Sequence, residues 1–197
     1  MNYLAHLHLG GPAPAQLLGS LYGDFVKGPL AGRWPADIEA AIRLHRRIDA
    51  FTDAHPLILA AKTRFPQARR RLAGVLLDVF FDHCLARDWA QFSAEPLGHF
   101  TQRVYGVLGA TPALPERLAR IAPRMAAQDW LGSYRDFAVL EDVLTGMSRR
   151  LSRPELLAGA WEELVERYEP LSEDFQAFYP QLLSYVGQQL ENPADRG

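Results

Sequence analysis

Leu44-His45-Arg46-Arg47-Ile48-Asp49-Ala50-Phe51-Thr52-Asp53 and Leu77-Asp78-Val79-Phe80-Phe81-Asp82-His83-Cys84 set the reading of this chain. In both, the residues able to do chemistry recur every four positions. On a helix His45, Asp49 and Asp53 project along one side, and Asp78 and Asp82 share a face of a second helix, with His83 beside Asp82. Outward from these two stretches, apolar residues recur at spacings of three and four, and no sustained alternation of period two occurs. The pattern predicts an all-α, single-domain helical bundle over residues 1–197. Helices are expected near 14–26, 36–52, 55–64, 66–88, 96–108, 114–128, 133–150, 154–169 and 172–190.

The breaks between these segments carry their own reasons. Pro12 and Pro14 precede the first helix, and Gly28-Pro29 ends it, because the residue before proline is pushed out of the α region. Pro35, Pro56, Pro66 and Pro154 suit first-turn positions, where a missing N–H costs nothing. Ser172, followed by Glu173 and Asp174, reads as an N-cap with acids against the positive end of a helix dipole. The aromatic stripe from Trp161 through Tyr168, Phe175, Phe178 and Tyr179 to Tyr185 reads as packing.

The chain has 197 residues, enough for one sizeable core. No apolar run approaches the roughly 20 residues that cross a bilayer. The N-terminus lacks the basic and apolar regions of a secretory signal. Cys84 is the single cysteine, which excludes an internal disulfide framework, so the expectation is a cytoplasmic protein without membrane association. Charge is unevenly spread: residues 1–153 carry 19 lysines and arginines against 14 acids, and residues 154–197 carry 2 against 9. Arginines cluster at 43, 46 and 47, at 64 and 69–71, at 117, 120 and 124, and at 149, 150 and 153. Their planar forks suit phosphate and carboxylate partners. The mildly acidic pI and the lack of a recognition-helix motif argue against nucleic acid.

Carboxylates in a helix as apolar as 76–85 do not all face solvent, and buried acids are paired, hydrogen-bonded or metal-bound. Two helices that each offer acids and a histidine to a shared interior match the way bundles build metal sites. Oxygen and nitrogen donors without thiolates suit a hard or borderline divalent ion. Such an ion acidifies water and polarises a phosphoryl oxygen, which is the apparatus for hydrolysing a phosphate ester. Asn2 and His6, four apart, and Asp24, between Gly23 and Lys27, are further members. The plain alternative keeps Asp49 and Asp53 as ion-pair partners of Arg46 and Arg47, and Asp82 as a partner of Arg87.

Met1-Asn-Tyr-Leu-Ala-His6-Leu-His8-Leu9, Gly23-Asp-Phe-Val-Lys-Gly28, Leu44-His-Arg-Arg-Ile-Asp49 with Thr52-Asp53, and Asp78-x-x-x-Asp82-His83 together resemble the bacterial acyl carrier protein phosphodiesterases, also called holo-acyl-carrier-protein hydrolases. The resemblance spans the chain. It implies cleavage of the phosphodiester joining 4′-phosphopantetheine to a serine of acyl carrier protein, with a divalent metal, typically Mn²⁺ (Mg²⁺ and Fe²⁺ being alternatives). It also implies a distant relation to the HD-domain phosphohydrolases, although the adjacent pair here, Asp82-His83, stands in reversed order. By resemblance Asp24, His45 and Asp49 join Arg46 as catalytic residues, Arg46 contacting phosphate. Asp53, Asp78, Asp82 and His83, with His6, are the expected metal ligands. Holo-acyl carrier protein would be the partner, landing on Arg64, Arg69, Arg70 and Arg71, because acyl carrier protein is small and acidic. Two other readings use the same residues: an HD-like phosphohydrolase acting on a nucleotide, and a non-catalytic helical module whose buried acids are structural.

Overall fold

A computed structural model describes residues 1–149 and 152–191, and every regular element among them is helical. In chain order these are α1 (Tyr3–Gly10), α2 (Pro14–Phe25), α3 (Ala36–Ala54), α4 (Pro56–Thr63), α5 (Ala73–Arg87), α6 (Trp89–Phe92), α7 (Leu97–Ala110), α8 (Glu116–Ala127), α9 (Trp130–Ser133), α10 (Val139–Ser148), a 3₁₀ turn (Pro154–Leu157), α11 (Ala160–Glu166) and α12 (Tyr168–Glu191). The expected all-α bundle is what forms. Its buried side chains run from Met1 to Val186 in one apolar cluster. Arg150, one of the clustered arginines, lies outside the described residues.

Proline punctuation works as the sequence predicts at Pro14 and Pro56, each the first residue of its helix. Elsewhere local hydrogen bonding redraws the boundaries. The segment expected to start at 66 forms four-residue turns, Arg69 N to Pro66 O and Leu72 N to Arg69 O, before α5 begins. Expected helix 133–150 is interrupted, because the Asp136 carboxylate takes the N–H of Ala138 at 3.0 Å and holds a turn. Ser172 is not an N-cap. It lies buried inside α12, and its hydroxyl accepts from Arg87 Nη1 at 3.2 Å. Pro170 sits in the first turn, where no N–H is needed, so the helix starts at Tyr168.

The N-terminal helix α1 lies ahead of the first helix that the periodicity predicts, and it has no local cap. The Asn2 side chain instead donates to the Tyr134 hydroxyl at 2.6 Å. The orphan N–H groups of Leu4 and Ala5 go to the carboxylate of Asp82, at 2.8 and 3.1 Å. Asp82, on α5 and 0 % exposed, therefore caps a helix almost eighty residues away in sequence. Such caps are worth about 0.5–2 kcal/mol, and this one fixes the rotation of α1 over α5.

Helices α2 and α3 approach unusually closely, and glycine makes this geometry available. A β-carbon at Gly19 would lie 2.7 Å from the carbonyl oxygen of Ile38 and inside the Ala41 methyl. At Gly23 it would overlap the His45 ring. Gly19→Ala pushes against backbone that cannot swing aside, so a loss of about 1–3 kcal/mol is expected in urea unfolding, the range for overpacked cores. An unchanged midpoint would show that α2 and α3 have room to spare.

Candidate metal centre

His6 from α1 and His45 and Asp49 from α3 meet at one point, with one donor atom from each within 4.8 Å of the others. His6 Nε2 lies 3.0 Å from Asp49 Oδ1, and His45 Nε2 lies 3.2 Å from Asp49 Oδ2. The two imidazoles stack, centroids 3.6 Å apart and planes 16° from parallel. Both rings are buried, while the Asp49 side chain is 43 % exposed. The cluster is thus closed from within and open on the carboxylate side.

Hydrogen bonding fixes which atoms are free to bind. His45 Nδ1 is 2.7 Å from the backbone carbonyl of Ser20, which can only accept. The proton of a neutral His45 ring therefore resides on Nδ1, and the Nε2 lone pair points at a carboxylate oxygen. Nε2 thus meets Asp49 through a proton when the ring is charged and is free to meet a bound cation when it is not, and a backbone-oriented histidine with an adjacent carboxylate is how proteins prepare a metal ligand. His6 is held differently: its Nδ1 is buried without a partner, and stacking on His45 orients the ring. The donor set, two imidazoles and a carboxylate, suits the divalent first-row ions.

The electrostatics agree with this geometry. Burial opposes charge on His6 and, despite its bond to Asp49, lowers its pKa to about 3. Burial also opposes ionisation of Asp49, but the hydrogen bonds to His45 and His6 outweigh it and hold this carboxyl well below the usual range. Asp24, at the end of α2, is raised by burial, and it feels His45 and Asp49 electrostatically. The Met1 ammonium lies 2.9 Å from Asp78 Oδ1 and 3.7 Å from Asp49 Oδ1, so Asp78 borders the cluster with a cation between.

The other expected site residues stand elsewhere. Asp53 is 76 % exposed and pairs with Lys62 at 3.1 Å. Asp82 caps α1, and burial raises its pKa to about 7 against the two backbone bonds. His83 Nδ1 meets the Tyr134 carbonyl at 2.8 Å and Nε2 meets the Tyr168 hydroxyl at 2.9 Å, so both ring nitrogens are spent. Arg87 pairs with Asp88 rather than Asp82. Arg46 directs Nη2 to the carbonyls of Val26 and Gly28, each at 3.0 Å, and makes no ion pair with Asp49. Of the arginines expected to receive a partner, Arg64 is bound to Asp174 through two hydrogen bonds and Arg69 to Glu163. Arg70 and Arg71 are exposed and unpaired. Gly23, whose missing side chain makes room for His45, stands in the sequence only as the first residue of the Gly23–Gly28 segment. Nothing in its spacing announces that contact.

Fold and centre together define a helical protein with a two-histidine, one-carboxylate cluster able to hold a divalent ion. Comparison with known proteins takes this further. The acyl carrier protein phosphodiesterase family model matches residues 1–182. Acyl carrier protein phosphodiesterases of Yersinia pestis and Salmonella agona are each 38 % identical, over 93 % of this chain and 96 % of theirs. That of Photorhabdus laumondii is 37 % identical over 98 % of this chain and 96 % of its own. The chain belongs to the acyl carrier protein phosphodiesterase family. No solved structure matches it. Among the described residues no helix is long and apolar enough to cross a membrane.

With its pKa lowered, the His6 ring of metal-free protein is expected to stay neutral from pH 8 to pH 5. Its ring resonances in an NMR titration should then be flat across that range. A midpoint near 6.5 would mean that the ring is not desolvated as described.

Proposed function

We propose that this protein hydrolyses the phosphodiester joining 4′-phosphopantetheine to the serine of acyl carrier protein, yielding apo-acyl carrier protein and 4′-phosphopantetheine, in the cytoplasm. Membership of the family supports the substrate, and it favours a carrier protein over a nucleotide. The observation that carries the chemistry is the Nε2 of His45 held against Asp49 by the Ser20 carbonyl.

His6, His45 and Asp49 would hold a divalent ion, Mn²⁺ being the family expectation. Bound there, it supplies charge for the phosphoryl oxygens and lowers the pKa of a water. The chain's own residues do the rest. Asp24, half-buried, with a raised pKa and coupled electrostatically to His45 and Asp49, would accept a proton from the attacking water and return it to the departing serine oxygen. One P–O bond forms to water, the P–O bond to serine breaks, and the proton ends on serine. Burial, with repulsion from His45 and the Met1 ammonium, keeps His6 uncharged and so able to ligate. Asp78 and the Met1 ammonium balance charge beside the cluster. Asp82 and His83 act at one remove, by setting α1 against α5 and tying α5 to Tyr134 and Tyr168. Cys84 takes no part: it is buried, and burial pushes its thiol up to about 12.

Conversion of holo- to apo-acyl carrier protein, followed as a mass change, tests this reading. Exhaustive chelation should stop turnover and Mn²⁺ should restore it. Asp49→Asn, at a half-exposed position and with folding checked by circular dichroism, should lower turnover by about a hundredfold or more, because metal-assisted charge stabilisation is worth several kcal/mol. Turnover indifferent to chelator would refute the metal; a near-normal Asp49→Asn enzyme would remove that residue from the centre.

A further inference from the structure

Two exposed cations near the C-terminal end of α2, Lys27 and Arg117, make no ion pair among the described residues. Lys27 follows Asp24 by three residues and acts on it electrostatically, yet it makes no ion pair. Its loop is not left to wander. Arg46 Nη2 bonds the carbonyls on both sides of it, those of Val26 and Gly28, and Gly28 takes the left-handed conformation, φ +77°, that closes the turn. Arg117, from α8, places its guanidinium 5.9 Å from the centroid of Phe25. Phe25 in turn stacks on Tyr3, centroids 6.1 Å apart at 15°. Arg117 is exposed and has no ion-pair partner, whereas its neighbours Glu116 and Arg120 face each other at 3.8 Å. Phe25 is adjacent in sequence to Asp24, so Arg117 contacts the residue next to the proposed proton acceptor while Lys27 acts on that acceptor itself.

We infer that Lys27 and Arg117 form the docking surface for an acidic protein surface that carries the modified serine. The inference rests on the reaction proposed above. Only one oxygen separates the scissile phosphorus from the serine side chain. When the phosphorus reaches the His6–His45–Asp49 cluster, the backbone bearing that serine must lie within a few side-chain lengths of it. A rim at that distance meets protein and not the far end of the pantetheine arm. Cations without ion-pair partners there select a surface rich in carboxylates, one carried by a clamped loop and the other laid on an aromatic face. Arg46 becomes the residue that presents Lys27. The alternative landing place at Arg64–Arg71 is half neutralised by Asp174 and Glu163.

The experiment measures two quantities on the full chain: the Kd of holo-acyl carrier protein in a direct binding assay, and the KM for its conversion to the apo form, each across a salt series. Lys27→Glu with Arg117→Glu should raise both by about tenfold or more and flatten their salt dependence. Lys27→Gln with Arg117→Gln, which only removes charge, should give a smaller change in the same direction. Both positions are exposed, and an unchanged melting temperature confirms folding. Kd and salt response indifferent to the double reversal would overturn the docking surface, as would a rise in Kd produced instead by reversing Arg70 and Arg71. A wild-type protein that binds the carrier through Lys27 and Arg117 but releases no 4′-phosphopantetheine would leave this surface standing and defeat only the proposed reaction.

Discussion

The 2.7 Å hydrogen bond from His45 Nδ1 to the Ser20 carbonyl can form only because α2 and α3 lie nearly in backbone contact, and that contact needs glycine at 19 and 23. A side chain at Gly23 would occupy the space of the imidazole, and one at Gly19 would part the two helices a turn away. With the bond in place, His45 has a single tautomer and a single direction for its lone pair, towards Asp49. The rest of the centre follows from that direction. Asp49 answers it, His6 stacks on the ring, and the three donor atoms converge closely enough to hold a metal ion.

The third member arrives by a different route. His6 rides on a helix of eight residues, too short to be stable alone. Its N–H groups are satisfied from α5 by Asp82, and Asn2 is tied to Tyr134. Burial holds His6 neutral, and it also makes Asp82 costly to ionise, up to about 7. Because that folded pKa is raised, Asp82 adds stability at acid pH, and its share is lost as pH climbs through about 7. His6 works the other way: its folded pKa is lowered, so its share is present above about 6.5 and lost as pH falls towards 3. The two shares change in opposite directions over nearly the same pH range, so they largely offset each other in the seating of the N-terminal helix.

Much of this was legible in the sequence, because helical periodicity survives any packing arrangement. The all-α class and the His45–Asp49 pairing both follow from a spacing of four, and α2, α3, α4, α7 and α8 form close to where the prolines and periodicity put them. The same rule could not separate Asp49 from Asp53 or Asp82, since spacing gives a shared face without saying what lies opposite it. Opposite Asp53 lies Lys62 and solvent, and opposite Asp82 lie the bare N–H groups of α1. That last contact joins residues 77 and 78 positions apart, and no local pattern encodes it. The turns at 134–138, and the earlier start of α12, were hidden for a related reason. Side-chain hydrogen bonds from Asp136, and a tolerated Pro170, decide them against the apolar periodicity.

The central claim is that a divalent ion belongs at His6, His45 and Asp49 and not at the Asp82–His83 pair. Crystals of the protein soaked in Mn²⁺, with anomalous scattering recorded near the manganese edge, test it directly. The account predicts a peak at bonding distance from His6, His45 Nε2 and Asp49, with the His45 Nδ1 to Ser20 hydrogen bond retained. A peak coordinated by Asp82 and His83, with the Leu4 and Ala5 N–H groups released, would contradict it.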